Sequence, residues 1–310
     1  MTIKHDRWRV LPGWAVLVGG AAAFWVVGHM PWIVHGMHAE VSAGWARFDT
    51  LKGPVVALPF NEYAFPTLLV GGVIGGTAAL AVSFLAAPGV RHRRGLAAAG
   101  ALIALVIALT QTYLAVRPGL VQSDEARLLV GALVAAALGT GVFGVLVGVG
   151  VARGKGWPLL LGGATAASLA GSWFVDLLFD PPGPIPEWLN RIAQLGPWVS
   201  GILLGVVLAV CGFRPTTRLL GWFVALAIGW VVPSVLTLMV YVTGYASQGS
   251  PRAERLREVA DAGRDVFVQS LSPSNHVTGP LVAAVVIGIV GATWRLNRAT
   301  ARPEVAAEAG

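Results

Sequence analysis

Eight long apolar runs constrain this chain more than any other feature. They cover about 11–34, 66–88, 96–116, 128–152, 158–179, 197–213, 219–244 and 278–295. A helix needs about 20 apolar residues to cross the hydrocarbon layer. Charge is scarce in keeping with this: 12% of the residues are charged and the mean hydropathy is +0.71, where a soluble domain carries about 25% charged residues. The expected fold is an all-α polytopic integral membrane bundle, a single domain over 1–310 with about eight spanning helices in four outward hairpins. The basic N-terminus followed by an apolar stretch resembles a secretory leader. The stretch contains Trp14 and Trp25 and no small-residue cleavage pattern, so it is expected to remain as the first span. Residues 297–310 are expected to form a flexible cytoplasmic tail.

Basic residues orient the runs. Thirteen of the 22 Lys and Arg fall in five clusters: Lys4-Arg7-Arg9, Arg91-Arg93-Arg94, Arg153-Lys155, Arg214-Arg218 and Arg295-Arg298-Arg302. The clusters occupy every second gap. With three acids (Asp6, Glu304, Glu308) their side carries +10, and the remaining chain carries −3. The positive-inside rule puts both termini in the cytoplasm. Ala, Gly, Val and Arg usage with short loops points to a bacterial plasma membrane. A pI near 10.3 is then explained by orientation in the membrane, and no nucleic-acid partner is expected. The cytoplasmic loops are too short for a nucleotide-binding domain, so any ATP-driven role needs another chain. Function is expected on the outer side, where the loops are longer.

Those loops carry amphipathic patterns. Val41, Trp45 and Phe48 recur at helical spacing, as do Trp188, Ile192 and Leu195, and Leu256, Val259, Gly263, Val266 and Phe267. Short interfacial helices fit, either lying on the membrane surface or packing over the ends of the spans as a lid. The first and last hairpins, 13–88 and 221–295, share Gly-Trp-x-Val, Trp-Val-Val and Pro-x-Asn-x4-Pro motifs. These suggest a parallel internal repeat. Glycines four apart (71/75, 72/76, 144/148 and 201/205) allow close helix approach and suggest a tight core of returning helices. The single Cys211 excludes an intramolecular disulfide and Cys-based metal sites, and is read as a small buried hydrophobe.

Ionisable residues are nearly absent from mid-membrane positions, where ion-coupled transporters place them. Thr110-Gln111-Thr112 is the densest mid-helix polar run, suited either to helix-helix hydrogen bonding or to a polar pathway. With Asp176, Asn61 and Asn275 these are the candidate substrate-pathway residues. Asp176 is either a snorkelling interfacial acid or the partner of an outer-loop arginine. His29, His35, His38, Glu62 and His276 are the candidate metal ligands, by donor type rather than by a recognisable spacing. No zinc-protease motif, Walker loop or nucleophile elbow is present, so the sequence assigns no catalytic residue, and no resident cofactor is expected. Three readings remain: a scaffold or accessory subunit of an envelope or transport assembly, with membrane lipid and other subunits as partners; a transporter or channel for an apolar, uncharged or lipid substrate, with a cavity near Gln111; and a metal-binding membrane enzyme using the outward His and Glu residues.

Overall fold

The computed structural model describes residues 10–39, 46–48, 53–61, 63–179, 186–246 and 253–300. The chain is all-α, with no strand among the described residues. Its helices are α1 (Gly13–Gly28), α2 (Met30–Val34), α3 (Phe65–Val82), α4 (Arg93–Val116), α5 (Asp124–Ala152), α6 (Gly156–Leu178), α7 (Glu187–Ala193), α8 (Gly196–Cys211), α9 (Thr217–Ala246), α10 (Ala253–Ser270) and α11 (Gly279–Thr300). Seven stretches are long and apolar enough to cross a membrane: α3, α4, α5, α6, α7 running on into α8 (Glu187–Cys211), α9 and α11. The first apolar run folds differently. Its 16-residue α1 rises about 24 Å, and after a break at His29 the short α2 continues. At the far end, residues 297–300 of the expected tail belong to α11, and 301–310 lie outside the described residues.

Local chemistry sets the helix ends. Ser123 caps α5 by accepting the N–H of Ala126 at 3.1 Å, and Asp124 and Glu125 occupy the first turn, where the helix dipole favours negative charge. At the C-terminus of α8, Gly212 takes a left-handed φ of 67°. There Arg218 donates to the Cys211 carbonyl at 2.6 Å, and Arg295 donates to that of Val210. Two members of the basic clusters thus satisfy carbonyls that the helix itself leaves open.

The helices associate as two sets of four. In the first set α1 packs on α3 and α4, and α3 packs on α5. In the second, α6 packs on α8 and α9, and α8 packs on α11. Glycine makes the closest of these contacts. A Cβ on Gly72 would stand 2.7 Å from the Thr140 carbonyl oxygen, and Cβ atoms on Gly76 and Gly144 would overlap the backbone of the opposite helix. In the second set a Cβ on Gly205 would lie 2.8 Å from the Ile287 Cβ. The returning helices therefore form two tight pairs, α3–α5 and α8–α11. The two motif-sharing hairpins are built differently. Helices α1 and α3 run against each other through Gly28, Gly71 and Gly75, whereas α9 and α11 meet only through side chains such as Trp222 at Gly288.

Helices α3 and α6 lie at the junction of the two sets and are the most enclosed spans, 56% and 61% buried. A polar latch reinforces the junction. Pro31 has no N–H to give the Val27 carbonyl, and the Trp173 indole of α6 donates to the Val27 and Gly28 carbonyls at 3.0 and 3.2 Å.

Candidate functional site

At the end opposite the arginines, the two sets differ in what fills them. In the first set, the non-helical segment 53–60 folds inward between α1, α2 and α4. Unpaired backbone at such depth needs protein partners, and side chains provide them. Gln111 accepts the Ala57 N–H at 2.7 Å and donates to the Val55 carbonyl at 2.9 Å. Thr112 accepts the Leu58 N–H at 3.0 Å. The indoles of Trp25 and Trp32 donate to the Ala57 and Val56 carbonyls at 3.0 and 2.9 Å. Val56, Leu58 and Phe60 are fully buried in the resulting plug. The first set is solid at this end.

The second set holds a cavity of about 600 Å³. One wall is α6, which presents Ser168, Ser172 and Asp176 at four-residue intervals, the spacing of a single helical face. Opposite stand Ser200 and Leu204 of α8, and Ser234 and Thr237 of α9. The roof is the end of α10 with the turn that follows, bringing Gln269, Asn275 and His276. That roof is pinned much as the plug is: Trp230 donates to the Leu271 carbonyl at 3.1 Å and Ser234 to that of Ser270 at 3.2 Å. Toward the arginine side the helices close on Leu160, Leu208, Trp222 and Ala225, all buried. The cavity is a blind cup.

Gly28 of α1 packs against Gly71 of α3, and Gly171 of α6 packs against Gly196 and Ser200 of α8. Three residues before Gly28 and Gly171 stand Trp25 and Ser168. Trp25 reaches into the first set and anchors the plug. Ser168 folds its hydroxyl back onto the Ala164 carbonyl at 2.7 Å, and space is left beside it.

Of the candidate pathway residues, Asp176 and Asn275 meet at the cavity. Asp176 makes no hydrogen bond or ion pair with any described residue, Arg191, Arg257 and Arg264 of the outer loops included. Asn275 donates to the Gln269 carbonyl at 2.8 Å. Gln111, on the exposed side of α4, and Thr112 clamp the plug instead, and neither lines the cavity. Thr110 is exposed on α4. Asn61 is buried in the turn entering α3, where its side-chain oxygen accepts the Tyr63 N–H at 2.9 Å.

The metal set does not assemble. Among the described residues no three His, Cys, Asp or Glu side chains converge. His29 is buried against Phe24 with neither ring nitrogen hydrogen-bonded, and its ring occupies the space that a side chain at Gly71 would need. A ring nitrogen of His38 lies 3.0 Å from the Gly53 carbonyl oxygen. His276 turns its two ring nitrogens to the carbonyls of Ser272 and Trp230, at 3.3 and 3.0 Å, and stacks on the Trp230 ring with centroids 4.0 Å apart. His35 belongs to none of these contacts, and Glu62 lies outside the described residues. Only His276 has both ring nitrogens turned to carbonyls; His38 uses one and His29 neither.

Two outer amphipathic segments are the helices α7 and α10. Helix α10 runs antiparallel along α9, with Gly263 facing Leu238 and Val242, which is the lid-like arrangement. Of the third, 39–51, only Ala39 and residues 46–48 are described, and none of these is helical. Sequence reading did not single out Ser200, Ser234 or Gln269. The repeat of Ser168, Ser172 and Asp176 every four residues along an otherwise apolar helix was the available signal. In comparisons with protein-family models, characterised proteins and solved structures, nothing matches this chain.

Proposed function

We propose that this chain is a ligand-binding membrane protein, a receptor-like or accessory subunit of an envelope or transport assembly in the plasma membrane. In this reading the arginine-rich ends face the cytoplasm and the cup faces outward. The observation that carries it is the blind cavity of about 600 Å³, within the range of about 300–1,000 Å³ for small-molecule sites. Polar groups gather at its walls and roof, while Leu204, Leu281, Val175 and Val266 supply apolar surface. An amphiphile suits that division. A channel of its own fits poorly, because Leu160, Leu208 and Trp222 close the far end.

The test is native mass spectrometry of the protein released from gently solubilised membranes. A retained amphiphile is expected. Ser172→Trp, which fills the cup without removing a described hydrogen bond, should release it while the protein still elutes as a folded species. An empty native protein, or a Ser172→Trp variant that retains the same ligand, would overturn the reading.

A further inference from the structure

The cup has many polar atoms, but most of their hydrogens are already committed. Ser168 donates to the Ala164 carbonyl at 2.7 Å and Ser200 to that of Ser168 at 3.2 Å. Ser270 donates to the Phe267 carbonyl at 2.8 Å and Thr237 to that of Pro233 at 3.1 Å. Ser234 and one hydrogen of the Asn275 amide are spent on the Ser270 and Gln269 carbonyls. Both ring nitrogens of His276 face carbonyl oxygens as well. A hydroxyl has one hydrogen and two lone pairs, so what these groups still offer is acceptor capacity.

The backbone adds to the bias. Pro233 in α9 has no N–H for the Gly229 carbonyl, and both residues line the cup. The helix N-termini that reach it carry Pro197 and Pro280 in their first turns, so each lacks a donor that such an end normally shows. Asp176 is the only Asp, Glu, Lys or Arg among the lining residues, and it has no partner among the described residues. Ser172, Gln269 and the second amide hydrogen of Asn275 keep side-chain donors uncommitted. The described lining residues thus bring one unpartnered carboxylate, no Lys or Arg, and more free lone pairs than free hydrogens.

We infer that the cup takes an ammonium-bearing amphiphile, its cationic nitrogen donating to Asp176 and to the serine oxygens, its hydrocarbon lying along Leu204 and Leu281. An alkylammonium brings three donors and no acceptor, which is the complement of this lining. The inference rests on the binding role proposed above and assigns the chemical class of the ligand. The ammonium group has two sources, a free long-chain amine or the head group of an ethanolamine lipid.

Binding of dodecylamine, dodecanol and dodecanoate to the whole purified protein at neutral pH tests it. Dodecylamine should bind at least about tenfold more tightly than the other two, the worth of one charge-assisted hydrogen bond. Asp176→Asn should erase that preference and leave dodecanol binding unchanged, which also separates the site from partition into the detergent. Dodecanol or dodecanoate matching the amine, or an Asp176→Asn variant that keeps the preference, would overturn the inference and leave the binding role standing. If none of the three binds, both fall. The three-probe comparison on the native protein holds whatever the variant's stability. Displacement of bound dodecylamine by phosphatidylethanolamine and not by phosphatidylglycerol supports the proposal with a lipid as the source. Tight dodecylamine binding that neither lipid displaces supports it with a free amine.

Discussion

Two groups of four helices in this molecule pair in the same order, and one is filled while the other is hollow. The first closes around its own connecting segment: Trp25, Trp32, Gln111 and Thr112 hold residues 55–58 as a plug. The second meets its connecting segment only at the roof, through Trp230 and Ser234, and keeps a cavity beneath. Whether a helical cup becomes core or binding site is decided here by few side chains. Trp25 anchors the plug, whereas Ser168 folds back onto its own helix and leaves space beside it.

The contrast can be broken most severely at the tightest helix pair. Gly144→Leu places a side chain where the Gly72 backbone lies. Rigid overpacking of a core costs about 1–3 kcal/mol and occasionally more. Here both neighbours are backbone, so loss of folded protein in size-exclusion chromatography is expected. Gly205→Ala meets only the Ile287 side chain and the Ala284 carbonyl, at 2.8 and 3.0 Å, and should remain folded. Next in size is Trp25→Ala. It opens a void in the solid set and strands the Ala57 carbonyl, and a loss of about 3–5 kcal/mol in reversible unfolding is expected for a large aromatic. Gln111→Leu leaves the Ala57 N–H and the Val55 carbonyl without partners. Both bonds are exposed, so a loss of about 0.5–1.5 kcal/mol for each is expected. Ser172→Trp should register least, about 0.5 kcal/mol, because the space it enters is empty. If Ser172→Trp proved as damaging as Trp25→Ala, the two sets would not differ in the way described.

The spans were legible because the length of an apolar run is a one-dimensional property. The runs drawn at 96–116 and 197–213 fold as α4 (Arg93–Val116) and α8 (Gly196–Cys211). The glycine pairs were also legible, since four-residue spacing marks a helix face. Partner identity was not. The glycines do not say that Gly72 and Gly76 meet α5 while Gly71 and Gly75 meet α1. Gln111 reads as a polar group in an apolar helix, and its true partners lie 54 and 56 residues away in a loop with no pattern to announce it. The cup was hidden for a related reason. Serines in membrane helices usually bond to their own backbone, as Ser168 does, so nothing in the string separates a serine facing another helix from one facing a void.

The latch from Trp173 to the carbonyls exposed by Pro31 has a mechanical meaning. It fastens the floor-to-rim wall of the cup, α6, to the solid set on the helix whose Ser172 and Asp176 line the cavity. That wall is braced from behind by α3 and α5 as well. Helix α9 has no such brace: it is 17% buried and scarcely touches α11. On the proposed binding role, breathing that admits an occupant is expected on the α9 and α10 side, with the plugged half as the fixed jaw.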